Sequence, residues 1–356
     1  MNSRSPRLSA ASPSTPFRGR AARTLAAVGA AAALALTGCV AGEDATGASV
    51  QEADGGTLTL DFATYNPLSL IIKDQGWLEE SLDGVDVEWV QSAGSNKANE
   101  NLRSGAIDVG STAGSAALLN RANGSEIKVI DVFSQPEWSA LVVGADSDIT
   151  SVADLAGKSV AATKGTDPYF FLVQALEEAG LSLSDVTVEQ LQHADGRTAL
   201  ENGSVDAWAG LDPIMAGAEQ NGARLAYRNL DFNTYGLLAA NETFLAEHPE
   251  QAQAVVNAYE KARAWAAENP DGTAQILADV AGLDPAVAKT VILERSNLDV
   301  DPAPGEAQRA VLARIGPTLV ETGDVGSQEQ VDQALEELLD DSYVRQADPD
   351  AVGASS

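Results

Sequence analysis

Cysteine and histidine are nearly missing from this 356-residue chain, which has one Cys and two His. With ligands that scarce, neither a Cys/His metal site nor a disulfide framework can be assembled. Basic residues are short as well: 22 Lys and Arg stand against 52 Asp and Glu, for a formal charge of -30. Nucleic acid and anionic membrane surfaces need a basic face, so neither is expected as a partner. The chain has no Gly-x-Ser-x-Gly elbow, and His193 and His248 lie in polar stretches expected to be exposed, far from any Cys. Nucleophilic catalysis has nothing to stand on, and no catalytic residue, metal or cofactor is expected. Aromatics make up 5% of the residues, so the place of each one matters. What is there is a 44% hydrophobic composition, enough for one large or two ordinary domains with real cores.

The start of the chain reads as an address. Residues 1–23 carry Arg4, Arg7, Arg18, Arg20 and Arg23 and no acid, and an apolar run from Leu25 to Leu36 follows. A basic segment, an apolar run and small residues before a cut site describe a signal peptide. The run is shorter than the ~20 residues of a spanning helix. Leu36-Thr37-Gly38-Cys39 resembles the bacterial lipobox, whose Cys receives a lipid and becomes the new N-terminus. Loss of residues 1–38 takes away five Arg and no acid, moving the charge from -30 to -35. Small and polar residues dominate 39–56, expected to form a flexible tether. The expectation is an exported globule, lipid-anchored through Cys39 on the outer face of the cytoplasmic membrane.

From Thr57 onward strand and helix signals alternate. Strands are expected at Thr57–Ala63, Val85–Gln91, Ala106–Val109, Ile127–Phe133, Ala140–Val143, Ser159–Thr163, Val186–Leu191 and Val205–Ala209. Helices are expected at Pro67–Gln75, Ser95–Ser104, Thr112–Ala122, Asp167–Glu178 and Arg197–Glu201, and almost everywhere after Asn241. Such alternation implies the α/β class, with a mostly parallel sheet covered by helices. Leu102–Gly110 and Leu200–Trp208 repeat one pattern: helix end, Gly, small residue, β-branched residue, Asp, strand. The repeat is either ordinary loop grammar or the mark of two similar lobes facing one cleft.

Ligands of open α/β sheets bind beyond the carboxyl ends of the strands. Four strand-to-helix turns qualify: Ala63-Thr64-Tyr65-Asn66-Pro67, Gly110-Ser111-Thr112-Ala113-Gly114, Lys164-Gly165-Thr166-Asp167-Pro168 and Leu211-Asp212-Pro213. The second and third combine hydroxyls with a helix N-terminus, which suits a small anion. Each is equally what an ordinary N-cap looks like. Asp212 could meet an ammonium or cap its own helix. Tyr65, Trp138 and Trp208 could wall a pocket or pack in a core.

Several blocks are similar to segments of the aliphatic sulfonate-binding proteins of ABC importers. They are 64–70, 89–97, 110–114, 136–138, 152–158, 164–168, 192–197 and 203–208, with Asp212-Pro213 just beyond. The resemblance implies a type II periplasmic-binding-protein fold: two α/β lobes joined by two crossover strands, with the ligand cleft between them. Lobe one would be 57–141 plus 237–340, lobe two 142–236, and 341–356 a tail. It also implies sulfonate contacts at Ser111, Thr112, Ala113 and Gly114 and at Gly165, Thr166 and Asp167. Tyr65 and Asn66 would close the pocket, with Trp208 and Asp212 nearby. Asn66 stands where many members carry Gln, and Leu211 where many carry Trp, which alters the wall around the ligand's tail. The implied partners are a permease and an ATPase, with the binding protein itself a monomer. Members of the wider family bind nitrate, bicarbonate, taurine or a thiamine-precursor pyrimidine, and one branch makes that pyrimidine with its own His. Another alternative is a sensor lipoprotein without transport.

Overall fold

The aspartate of each repeated block decides where its strand begins. The computed structural model describes residues 56–353. The expected leader, Cys39 and nearly all of the tether lie outside the described residues. Among the described residues ten strands form two sheets: β1 Thr57–Phe62, β2 Asp86–Gln91, β3 Val109–Ala113, β4 Ile127–Ser134, β5 Ser139–Val143, β6 Ser159–Ala162, β7 Thr187–Gln190, β8 Ala207–Leu211, β9 Arg224–Tyr227 and β10 Gly236–Asn241. The first sheet has the order β2-β1-β3-β10-β4 and the second β7-β6-β8-β5-β9. In each, one inner strand, β10 or β5, runs antiparallel to both neighbours. The chain crosses between sheets at 135–138 and returns at 228–235. The two sheets share one topology, which is the internal repeat made three-dimensional.

The repeated Asp has a structural duty in both sheets. Asp108 accepts from the Thr59 amide at 2.8 Å and its own amide donates to Thr59 O at 2.7 Å. Asp206 accepts from the Ser159 amide and hydroxyl, each at 2.8 Å, and its amide donates to Ser159 O at 3.0 Å. Each carboxylate thus sews the entry of β3 or β8 to the adjacent strand. That contact keeps the residues just before each strand out of the ladder, so β3 and β8 begin two to three residues later than expected. The same displacement corrects the second turn: Ser111, Thr112 and Ala113 lie in β3, and their helix starts only at Gly114.

The helices follow their local signals more closely. Pro67–Gln75 starts with Pro at its first turn and stops at Gly76 in the left-handed region, φ 67°. Ser95–Ser104 and Asp167–Glu178 also have their expected bounds. The helix expected at Arg197 instead starts at His193, with Gly196 inside it. A Cβ on Gly196 would stand 2.8 Å from the Trp208 indole, so this glycine serves close packing and breaks nothing. Gly236, opening the returning strand, is needed because a Cβ there would run into Phe133 and Ser134.

Two boundaries differ from expectation. Ser139–Val143, placed mostly at the end of lobe one, is an inner strand of the second sheet. The expected tail, where it is described, is no loose end either. Val352 is buried with the first lobe's core, and its carbonyl accepts from Lys261 Nζ at 2.8 Å. The helical C-terminal part covers the first sheet, and its middle also reaches the other lobe. There Ala216, from helix Ile214–Gln220, packs with Ala274, Leu277, Ala288 and Val291.

Candidate functional site

Four helices begin where the two lobes meet, each following the carboxyl end of a parallel strand. They are Ser95–Ser104 and Gly114–Ala122 from the first lobe, and Asp167–Glu178 and His193–Glu201 from the second. Their N-caps, Gly94, Ala113, Thr166 and Gln192, make no side-chain capping bond. First-turn amides have no partner inside their own helix, and each helix start carries about half a positive charge. The four starts touch across the lobes. A Cβ on Gly94 would stand 2.9 Å from His193 Nε2, and one on Gly165 would be 3.8 Å from Asn96 Cβ and Leu119 Cδ2. Ser115 Oγ donates directly to Asp167 Oδ1. The cleft is closed in this conformation.

The first-lobe wall is a hydrogen-bonded network in which Asp61 Oδ2 is left without a partner among the described residues. Tyr65 donates its hydroxyl to Ser111 O at 2.9 Å and meets Trp138 edge-on, ring centres 5.9 Å apart. Asn66 Nδ2 donates to Ser111 Oγ at 2.8 Å and Tyr259 OH at 3.0 Å, while its Oδ1 caps the Ser69 amide. Ser111 gives both its amide and its hydroxyl to Asp61 Oδ1, at 2.8 Å each. Asn66 and Ser111 therefore buttress the wall with the groups expected to face a ligand. Thr112 is fully buried beside them, its hydroxyl on Ala113 O at 3.2 Å. Leu211 is buried in the same cluster as Tyr65 and Trp138, so an aliphatic side chain lines this wall.

Burial pushes the Asp61 carboxyl up to about 6, against the pull of its Ser111 hydrogen bonds. A carboxyl whose folded pKa lies above its unfolded value stabilises the fold when protonated, and that contribution is lost as pH rises from about 4 to about 6. Asp61→Asn keeps the acceptor for Ser111 without the buried charge. It should be more stable than the parent by about 1–3 kcal/mol at pH 7.5, the worth of a shift of ~2 units, and no more stable at pH 4. Urea denaturation at the two pH values measures this, and equal stability at pH 7.5 would refute it.

Asp167 sits at the crossing segments and not on open cleft surface. The residue is 1% exposed. Its carboxylate accepts from Trp138 Nε1 at 2.9 Å, the Thr234 amide at 2.8 Å and Thr234 Oγ1 at 2.6 Å, besides Ser115. Thr234 Oγ1 in turn receives the Ser115 amide, and Gly114 lies against the Thr234 side chain. Thr166 gives its hydroxyl to Thr163 O at 2.6 Å, closing its own turn. Gly165 takes a positive φ of 77° that lets the turn face the first lobe.

Asp212 lies in the interlobe contact by another route. It accepts from the Ala216 amide at 2.9 Å, the capping role open to it from the sequence. It also pairs with Arg295 at 3.2 Å, whose other nitrogen meets Glu219 at 2.7 Å. Burial raises the Asp212 pKa to about 6 although Arg295 pulls it down. Asp212, Tyr65, Trp138 and Arg295 line one small cavity of about 10 Å³. Lys164 adds a further link between lobes, 2.6 Å from Asp324.

Two expectations are corrected. Trp208 is fully buried with Ala140, Val142, Ala161, Ala199 and Leu200, so it belongs to the second lobe's core and not to the wall. His193, expected exposed, is 1% exposed, and burial lowers its pKa to about 3. Its misplacement has a local cause, because Gly196 and Asp195 read as a loop. Ser95, Asn96, Ser115, Thr234 and Arg295 went unrecognised. A helix-start serine was a usable signal for the first and third, but nothing local marks Thr234 or Arg295.

A family model described as NMT1/THI5 like matches residues 69–273. A protein of Bacillus subtilis (strain 168) named for binding aliphatic sulfonates is 30% identical over 236 residues, 64% of this chain and 70% of that protein. The alkanesulfonate-binding protein of Xanthomonas axonopodis pv. citri bound to MOPS superposes with a TM-score of 0.71 at 25% identity, covering 78% of this chain and 97% of that one. The periplasmic aliphatic sulphonate binding protein of Escherichia coli does so with 0.67 at 26% identity, covering 78% and 91%. The periplasmic-binding-protein fold expected from the sequence is the fold observed. With the match spanning more than half of its length, the chain belongs to the NMT1/THI5-like family.

Proposed function

We propose that the chain is the substrate-binding component of an ABC importer and that its cleft captures a small organic anion of the sulfonate class. The observation that carries this reading is the meeting of four helix N-termini, two from each lobe, at one interlobe face. An anion there receives amides and dipoles from both lobes together, which only the closed form provides. Ligand then favours closure by its differential affinity for that form. The names of the relatives support the same class. Asn96 and Gly165 face each other across the lobes there, with Tyr65 and Leu211 as the apolar wall for a short tail. The mechanism is capture without turnover, in a protein exported and tethered through Cys39.

Thermal denaturation of the purified protein against sulfonates, taurine, nitrate, bicarbonate, sulfate and pyrimidines tests it. At 100 times its dissociation constant a sulfonate should add ~2.7 kcal/mol, a shift of several degrees. A shift with nitrate or a pyrimidine and none with any sulfonate would overturn the ligand class.

A further inference from the structure

The cleft holds an acceptor that nothing among the described residues uses. Thr163 Oγ1 donates to Leu191 O at 2.7 Å, so its proton is committed. The same oxygen lies 3.2 Å from His193 Nδ1 and must therefore accept from it. That arrangement places the imidazole proton on Nδ1 and leaves a lone pair on Nε2. Nε2 is buried and has no hydrogen-bond partner among the described residues; Asn96 Oδ1, across the lobe boundary, is in the same condition. Both stand 2.9 Å from the point where a Gly94 Cβ would sit, which brings the two acceptors within about 6 Å of each other beside that glycine. The backbone of Gly94 is extended, φ 167°, and its glycine is explained by lack of room, not by strain. Two unpartnered acceptors from opposite lobes, close together beside four helix N-termini, ask for a ligand with an anionic end and a donor end. A buried acceptor left without a partner is costly, and a ligand donor would remove that cost.

We propose that His193, with Asn96, is a specificity determinant that selects sulfonates carrying a hydrogen-bond donor, a hydroxyl or an amine, over plain alkanesulfonates. The inference rests on the sulfonate reading above. The donor meets His193 Nε2 in the second lobe and Asn96 Oδ1 in the first, so it contributes only when the lobes are closed. A donor-free tail of equal size leaves both acceptors buried and unpaired, and the site discriminates against it.

Isothermal titration of the purified protein with three sulfonates of equal heavy-atom count tests this: 1-propanesulfonate, 2-hydroxyethanesulfonate and 2-aminoethanesulfonate. The four-carbon counterpart and its 3-hydroxy- and 3-aminopropane analogues extend the series. At least one donor-bearing member should bind about ten-fold or more tightly than its plain analogue. The hydroxyl and amine arms distinguish a neutral from a cationic donor. In His193→Leu the preference should fall to about two-fold or less, while His193→Gln, which keeps an acceptor, should retain part of it. Equal affinities across the parent's series would overturn the proposal and leave the sulfonate reading standing. A preference undiminished in His193→Leu would overturn the role of His193. No binding of any sulfonate would remove the reading beneath it, and the proposal with it.

Discussion

Arg295→Ala is expected to lower stability by about 3–5 kcal/mol and to weaken ligand binding at the same time. Arg295 ends the π-helical turn Val291–Arg295 in the C-terminal part, while its two acid partners belong to the second lobe. Its side chain is 10% exposed and that of Asp212 only 4%, so neither charge has water to fall back on. Removing the guanidinium leaves Asp212 buried without its counter-charge. Burial already holds the Asp212 carboxyl at about 6, and without Arg295 it rises further. Asp212 then takes up a proton near neutral pH, which sets an upper limit to the loss. The second effect follows from position, since the pair is formed across the lobes and supports closure. Arg295→Ala combined with Asp212→Asn should recover a substantial part of the loss, because the stranded charge is gone. Urea denaturation of the single and double variants, with a sulfonate titration of each, measures both effects. A loss below about 1 kcal/mol without coupling between the two positions would show that the pair is dispensable.

What the sequence made legible depended on how far apart the interacting residues lie. Helix limits such as Pro67–Gln75 and Asp167–Glu178 follow from residues inside or beside the element: a proline in the first turn, a glycine at or near the end. The repeat 102–110 and 200–208 disclosed two like lobes because loop glycines and strand-entry Asp residues act locally. The starts of β3 and β8 were misread because Asp108 and Asp206 bond to strands 49 and 47 residues away. The site was less legible still. Ser111 looked like a turn hydroxyl, yet its partner Asp61 is 50 residues distant, and Asn66 reaches Tyr259 across 193. β9 was missed because Arg224–Tyr227 is a short, half-buried edge strand with no alternating pattern to expose it. Of the four helix starts at the lobe boundary, those at Gly114 and Asp167 were thus readable as ligand turns from their chemistry, and those at Ser95 and His193 were not. Nor was it readable which hydroxyls were already spent inside the protein.

Asp167 gives that distinction its largest test. The family resemblance places it among residues that would meet a sulfonate, but a carboxylate has no donor to offer one. In the structure it binds the two crossing segments, through Trp138 and Thr234, to the first-lobe Ser115. Burial raises its pKa, and the hydrogen bonds from Ser115, Thr234 and Trp138 oppose that. Asp167→Ala strands an indole N–H, a backbone N–H and two hydroxyls in a dry place, and should cost about 3–5 kcal/mol. Asp167→Asn should cost about 1 kcal/mol or less, for a reason of geometry. The amide oxygen can keep the indole and backbone donors, which cannot reverse, while the NH2 group donates to the two hydroxyls, which can turn and accept. A large loss in both variants would mean that the negative charge itself is required there. Urea denaturation at pH 7.5 separates the two cases. Sulfonate titration of the Asn variant then asks whether the carboxylate holds the cleft together or competes for its donors. A strut leaves affinity within about three-fold of the parent, since the same bonds persist. A marked gain in affinity would instead identify Asp167 as an internal anion that the ligand must displace, and the four helix starts as a site already partly filled.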